Sequence, residues 1–392
     1  MCKITDFCLK PLYCTYMRVG FDAKRAFNNK TGLGNYSRFV LDALLTNEGD
    51  NEYFAYTPAN AKNLFPDFPK DSTILPKSWF DKKFSSYWRY STITRQLRND
   101  KIDIFHGLSH ELPQGLHKAN IRSVVTIHDL IFERLPQLFN PIDRIIYRNK
   151  FKSACDRADA IIAISEQTKR DLIDIYNVDS NRIQVIYQDC NLLFKKKIQP
   201  DLRQTIVNKY GIKAPYVLCV GTLEERKNQL RLVEAFSNLQ ENDFQLVLVG
   251  RATAYAAKIQ DFVKTHHLRN RVLILENVPT DHLPSLYQQA AVFAYISIYE
   301  GFGIPILEAL HSGTPVLAAK GSCLEEAGGP GGIYTNPLDL NDISSQLQKL
   351  ISDNGLRESL VVGGQRYVQR FGGEIISAQL TSLYATVKAK DL

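Results

Sequence analysis

The chain is predicted to be an α/β protein of two Rossmann-like domains facing each other across a cleft, and three observations predict it. Its 392 residues are too many for one ordinary hydrophobic core. Short apolar runs alternate with helix-period segments along the whole length, the pattern of parallel sheets covered by helices on both faces. A polar, lysine-rich stretch closed by a proline, Asn191–Asp201, separates two similar sets of runs and reads as a linker.

In the first half the strand-like runs are Arg18–Phe21, Tyr53–Tyr56, Ile102–Phe105, Ser123–Ile127, Ala160–Ile164 and Ile183–Ile186. The second half supplies Tyr216–Val220, Gln245–Val249, Val272–Leu275, Val292–Ile296, Pro315–Ala318 and Gly332–Tyr334. Each is short, apolar and bounded by turn residues, as a strand buried on both faces should be. The expected boundaries are an extension over 1–16, an N-terminal domain over 17–195 and a C-terminal domain over 200–371.

A hydrophobic fraction of 44% and a charged fraction of 23% belong to a soluble globular chain. The net charge of +7 suits an anionic substrate or a loose contact with an acidic membrane face, and falls short of a nucleic-acid partner. Lys195-Lys-Lys197 reads as solvated linker. Seven cysteines without a CxxC pair indicate neither a disulfide framework nor a zinc site. Cys2, Cys8 and Cys14 lie ahead of Met17-Arg-Val-Gly-Phe-Asp-Ala, which reads like a natural start. The segment before it lacks the continuous apolar core and cleavage site of a signal peptide. No window approaches about 18 apolar residues, so a cytoplasmic location is expected.

In such sheets ligands collect at the carboxyl ends of the strands, so the residues just beyond each strand matter most. After the first comes Thr31-Gly-Leu-Gly-Asn-Tyr, where Gly32 and Gly34 allow close backbone approach to a phosphate or sugar at a helix start. The match to GxGxxG is incomplete, with Ser37 at the third position, and an ordinary glycine turn remains an equal reading. After Ser123–Ile127 come His128 and Asp129, placed to orient a hydroxyl or stabilise developing charge; the alternative is that Asp129 caps a turn and His128 packs. His106 and His110 are separated by a glycine and followed by Pro113, which argues against a helical metal pair.

In the second half, Gly221-Thr-Leu-Glu-Glu-Arg-Lys-Asn228 places Arg226 and Lys227 near a helix start as a diphosphate clamp. Asn277 and Val278 end another strand, where backbone groups can read a nucleobase edge. The densest stretch is Ser297-Ile-Tyr-Glu-Gly-Phe-Gly-Ile-Pro-Ile-Leu-Glu308. Glu300 belongs on a loop at a strand end, and Glu308 inside a helix with Pro305 in its first turn and Gly313 past its end. The amides of Phe302, Gly303 and Ile304 lie at that helix's uncapped N-terminus, open to an anionic or polyhydroxyl ligand. Acid, bare amides and second acid describe a site for a phosphorylated sugar.

Glu300–Glu308 resembles the E-x7-E motif of retaining glycosyltransferases of family 4, which have the GT-B fold. Arg18-Val-Gly-Phe-Asp-Ala with Thr31-Gly-Leu-Gly-Asn-Tyr, Val124-Val-Thr-Ile-His-Asp-Leu, Ile161-Ile-Ala-Ile-Ser-Glu and Val220-Gly-Thr-Leu-Glu-Glu-Arg-Lys-Asn look like the family's other motifs, in order from Met17 onward. The variant resembles mannosyltransferases of bacterial O-antigen and capsule assembly. The resemblance implies a nucleotide-sugar donor, GDP-mannose, held by the C-terminal domain, and a glycan or lipid-linked glycan as acceptor. It implies Lys227 and Arg226 on the diphosphate, Gly34 close to it, Glu308 on the ribose and Glu300 on the sugar. It puts the Phe302–Ile304 amides on sugar or phosphate and His128 near the anomeric centre. It also implies that residues 372–392 return as a helix to the N-terminal domain. Thr222 stands where some members carry an arginine. No two aspartates are spaced as DxD, so transfer is expected to need no metal and no cofactor, the cations and helix N-termini replacing it. The alternatives are a UDP-sugar-dependent transferase of the same family, a phosphorylase or epimerase on the same two-domain fold, and a catalytically silent subunit of a polysaccharide assembly complex. The acceptor falls to loops such as Asn60–Arg98, rich in Phe, Tyr, Trp and Lys, where contact with the inner membrane face and a simple core cover are equal readings.

Overall fold

The computed structural model describes residues 16–46, 49–59, 64–213, 215–241 and 243–389. The expected extension apart from Tyr16, with Cys2, Cys8 and Cys14, lies outside them. Among the described residues two sheets form, and every paired strand in them is parallel.

The first sheet holds β1 (Arg18–Asp22), β2 (Glu52–Tyr56), β3 (Thr73–Ile74), β4 (Ile104–Gly107), β5 (Arg122–Ile127), β6 (Ala160–Ala163) and β7 (Ile183–Val185), in the order β3-β2-β1-β4-β5-β6-β7. The second holds β8 (Tyr216–Val220), β9 (Gln245–Val249), β10 (Val272–Leu275), β11 (Val292–Tyr295), β12 (Val316–Ala319) and β13 (Gly332–Thr335), in the order β10-β9-β8-β11-β12-β13. Each order reverses beside its first strand, which opens a crevice between β1 and β4 and another between β8 and β11. The strands are apolar throughout because helices cover both faces; all six residues of β5 and all five of β9 are buried.

Every run read as a strand is one, with ends moved by a residue or two. The unexpected strand is β3. It lies in the stretch Asn60–Arg98, read as loop that faces the acceptor or covers the core, which also folds the helix Trp79–Lys83 and a continuous helical path from Ser85 to Asn99. Lys195 is a second correction: it is not simply solvated but ion-paired to the buried Asp189, which also accepts from His311 Nε2 at 3.1 Å.

The helix Gly373–Ala389 lays a stripe of Ile376, Leu380, Leu383, Tyr384 and Val387 against the first sheet and the helix Gly32–Leu45. Its Tyr384 hydroxyl is 2.8 Å from His106 Nδ1, and His106 Nε2 is 2.8 Å from Thr126. His106 is thus a core histidine satisfied on both nitrogens.

The two halves meet through loops at the carboxyl ends of their strands. The Glu326 carboxylate accepts from the amides of Glu166 (2.7 Å) and Gln167 (3.1 Å), the first turn of the helix Glu166–Tyr176. Cys323 N donates to Gln167 Oε1 at 2.7 Å. Phe302 stacks on Tyr187 at 5.4 Å and meets Phe371 edge-on at 5.5 Å.

Candidate active site

The crevice between β8 and β11 gathers the charged residues singled out above. Beyond β8, Gly221 has φ 150°, and a Cβ there would lie 3.1 Å from the Lys227 side chain, so the absent side chain lets Lys227 run back over the loop. Lys227 and Arg226 sit in the turn Glu225–Lys227, which the left-handed Asn228 (φ 61°) closes before the helix Gln229–Ser237. Beyond β11 the chain runs directly to Glu300.

Both cations converge on that acid. Glu300 Oε1 accepts from Lys227 Nζ at 2.9 Å, and Arg226 Nη1 lies 2.7 Å from Oε2. Tyr295, at the end of β11, completes the cluster: its hydroxyl donates to Glu300 at 2.8 Å and accepts from Lys227 at 2.6 Å. Arg226 also donates to Glu224 (2.6 Å) and to the Tyr299 carbonyl (2.5 Å). Only 12% of the Glu300 side chain is exposed. Burial alone would raise its pKa, but Lys227 and Arg226 outweigh burial and hold it at about 2. The pKa of each cation is raised in turn despite burial, through Glu300 and, for Lys227, Tyr295. Tyr295 gave no sequence signal beyond a polar tip on a buried ring at a strand end.

Glu308 lies in the helix Ile304–His311 and meets different surroundings. Burial pushes its pKa up to about 7, and the one hydroxyl it accepts from, Tyr287 at 2.8 Å, offsets this only in part. Gly303, with φ 137° and Leu324 only 3.0 Å from its missing Cβ, is the N-cap, and no side chain caps the helix. The amides of Phe302 and Gly303 donate to nothing among the described residues. The Phe302 ring is a buried plug between the halves, so only its backbone is available to a ligand.

His128 and Asp129 reach this cluster from the other half. A Cβ on Gly301 would lie 2.3 Å from the His128 carbonyl, so Gly301 lets Glu300's loop pack directly on the end of β5. The imidazole is wedged between Tyr36 (4.5 Å) and His110 (5.0 Å), with Nε2 2.9 Å from the Leu108 carbonyl. That partner assigns the proton to Nε2 and leaves Nδ1 as acceptor. Burial lowers its pKa to about 4, the Leu108 carbonyl opposing and Arg25 reinforcing the shift, so the ring is neutral at pH 7. Asp129 does cap a turn, accepting from Ile131 N at 3.1 Å; burial raises its pKa, Ile131 N and Arg226 opposing the shift and Glu300 reinforcing it.

Gly34 and Val278 are not bonded to the cluster. A Cβ on Gly34 would fall 1.9 Å from the Asn29 carbonyl, so the glycine there lets the chain fold back on the first turn of the helix Gly32–Leu45. Val278 packs, half-buried, on the core. Among the described residues the grouping with metal-ligand spacing is Asp189, Cys190 and His311, their ligand atoms within 4.8 Å of one another. Lys195 already holds Asp189, and the trio reads as an ion network at the junction of the halves. A cavity of about 500 Å³ runs between Leu138 and Phe139 of the first half and Glu224–Arg226 of the second.

Comparison with known proteins bears on this arrangement. Residues 203–366 match the model of the glycosyl transferases group 1, and residues 44–188 that of glycosyltransferase family 4. O-antigen chain mannosyltransferase B of Escherichia coli is 30% identical over 293 residues, 74% of this chain and 75% of that one. The chain belongs to the family 4 glycosyltransferases. This glycosyltransferase is also 26% identical over 332 residues to O-antigen chain mannosyltransferase RfbU of Salmonella typhimurium, 82% of this chain and 87% of that one. Its fold is GT-B: sucrose-phosphate synthase from Thermosynechococcus elongatus superposes with a TM-score of 0.75 at 22% identity, over 95% of this chain and 99% of that one.

Proposed function

We propose that this glycosyltransferase is a retaining, metal-independent mannosyltransferase that moves mannose from GDP-mannose onto a glycan or lipid-linked acceptor in cell-surface polysaccharide assembly. It would work in the cytoplasm, peripherally at the inner membrane face. The observation that carries the reading is the buried Lys227–Glu300–Arg226 cluster at the β8/β11 crevice, two residues before the open amides of Phe302 and Gly303 and eight before a second acid. The mannose and the polysaccharide come from the names of the two relatives; the metal independence rests on the missing DxD and on the two cations.

In this reading a diphosphate takes Lys227 and Arg226 from Glu300, and the freed carboxylate accepts hydroxyls of the sugar. The Phe302, Gly303 and Ile304 amides add donors, Glu308 holds the ribose diol, and the backbone at Val278 meets the base. Gly34 approaches the diphosphate from the facing half. The C1–O bond to the diphosphate breaks and the C1–O bond to the acceptor forms on the same face. The acceptor proton passes to the leaving diphosphate, whose charge the two cations stabilise. His128, neutral, offers the dipole of its imidazole near the anomeric centre rather than a proton. Asp129 keeps that loop in place and sets the local negative field.

A donor screen tests the reading, with GDP-mannose, UDP-glucose and UDP-GlcNAc as candidates. Glu300→Ala and Lys227→Ala should each sharply reduce transfer from the active donor, and EDTA should leave it intact. Wild-type turnover in both variants would remove the site assignment. Loss with EDTA and rescue by Mn²⁺ would remove the metal independence. Donor binding without turnover on any acceptor would favour a silent binding subunit.

A further inference from the structure

A second cavity, of about 700 Å³, lies wholly in the N-terminal half, between the segment Ser86–Ile93 and the helix Pro141–Arg157. Five cations line it against two carboxylates. Both carboxylates are committed: Asp22 to Arg89, and Glu111 to Arg89 (3.3 Å) and Lys150 (3.1 Å). Arg157 gives its guanidinium to the carbonyls of Pro113 (2.6 Å) and Leu112 (3.0 Å). Lys24 and Arg25 are left over, their side chains without an ion pair or hydrogen bond among the described residues. The Lys24 pKa is lowered, first by burial and then by the positive charge of Arg89 and Arg25, which Asp22 and Glu111 offset only in part. Half-buried cations that repel one another and face a cavity leave a position that an anion would stabilise.

The cavity's place and its rims say which anion. Arg25 is close enough to His128 and His110 to lower the pKa of both, so the positive corner abuts the contact between His128 and the Glu300 loop. On one side the chain that leads into the lining residues Ser86, Arg89 and Tyr90 exposes Trp79, Phe80 and Tyr87, Trp79 by 71%, with Lys82 and Lys83 among them. On the other, the helix Pro141–Arg157 exposes Ile142, Ile145 and Ile146 at helical spacing. That helix carries five cations against two acids. Aromatic and aliphatic side chains set among cations suit the interface of an anionic bilayer.

We propose that this cavity is the phosphate subsite of an amphiphilic acceptor: the phosphate or diphosphate of a lipid-linked glycan sits on Lys24 and Arg25, and the apolar rims enter the bilayer that holds its chain. The inference rests on the transferase reading and supplies its acceptor class.

Vesicle co-sedimentation tests it without donor or turnover. Phosphatidylcholine vesicles containing phosphatidylglycerol, whose phosphate is a diester as in a lipid-linked glycan, should retain the full chain roughly tenfold better than vesicles with cholesteryl hemisuccinate, a carboxylate, at equal surface charge. Inorganic diphosphate should compete. Lys24→Gln with Arg25→Gln should abolish the preference, and Lys24→Arg should keep it, with thermal melting confirming that each variant folds. Equal retention on both anionic vesicles, or an unchanged preference in the double variant, would overturn the subsite. Binding of inorganic diphosphate at Lys24 and Arg25 with no gain from the lipid would overturn the amphiphilic acceptor. A failed donor screen leaves this readout intact, and a failed vesicle preference leaves the transferase reading intact.

Discussion

Both halves bring cations to the carboxyl ends of their strands, but they balance them differently. At the β8/β11 crevice Lys227 and Arg226 share Glu300, and every charge has a partner within 3 Å. At the end of β1, Lys24 and Arg25 have none among the described residues. A balanced cluster accepts an anion only by exchange, because the diphosphate must displace a carboxylate that then needs new donors. A nucleotide sugar brings those donors as hydroxyls, and a bare anion does not. An unbalanced pair takes whatever anion its shape admits, so its selectivity has to come from the cavity and its rims.

The largest expected effect breaks the balanced cluster. Lys227→Ala should lower turnover by roughly 10²–10³-fold, the size of a lost donor to developing charge. Glu300→Gln should cut transfer comparably, yet bind the nucleoside diphosphate more tightly than the wild type, since no carboxylate remains to be displaced. Calorimetry with GDP measures this directly. Weaker GDP binding by Glu300→Gln would rule out exchange and leave Glu300 as a plain structural counter-ion.

The second prediction sharpens the contrast between the two acids of one motif. Glu300 is ionised at any ordinary pH, whereas Glu308, with a pKa of about 7, is half-protonated near neutrality. Below about pH 4.3 Glu308 is protonated in both folded and unfolded chains. Between there and about 7 the unfolded chain gives up a proton that the folded one keeps. Stability therefore falls as pH rises through that window, by about 3–4 kcal/mol in all, and is constant above it. Denaturant unfolding of the ligand-free protein across the window should show this slope, and Glu308→Gln should flatten it. Nucleotide affinity should rise over the same range, because the ribose diol prefers the ionised carboxylate. A wild-type slope in the variant would place the titration elsewhere.

How much of this was legible depends on which contacts are local. The strands were readable because burial on both faces makes each an apolar run, and Arg226, Lys227, Glu300 and Glu308 were readable because strand ends are where α/β sheets put their chemistry. β3 was not, since two residues, Thr73 and Ile74, make no run. Tyr295 and Tyr287 were not, because a tyrosine in a buried segment looks like core until the fold shows where its hydroxyl ends. Lys24 and Arg25 look like any surface pair; that they lack partners depends on Arg89 and Lys150, which lie 64 and more residues away and take both carboxylates.

The smallest effect concerns the joint between the regions. Glu326 of the second half caps the helix Glu166–Tyr176 of the first through two amides. A carboxylate at a helix N-terminus stabilises by about 0.3–1 kcal/mol, and here that energy holds one half against the other rather than one helix. Glu326→Ala should therefore change the population of apposed halves more than it changes unfolding. The ligand-free variant should show a larger radius of gyration by small-angle scattering, returned toward the wild-type value by nucleotide, with Tm almost unmoved. If the Glu300 cluster holds the donor and the cavity at Lys24 and Arg25 the acceptor, as proposed, both abut the contact of His128 with Gly301, and KM for both substrates should rise together. A rise in only one would mean that the two sites do not share the joint. Unchanged scattering would mean that Phe302, packed between Tyr187 and Phe371, holds the halves together without the cap.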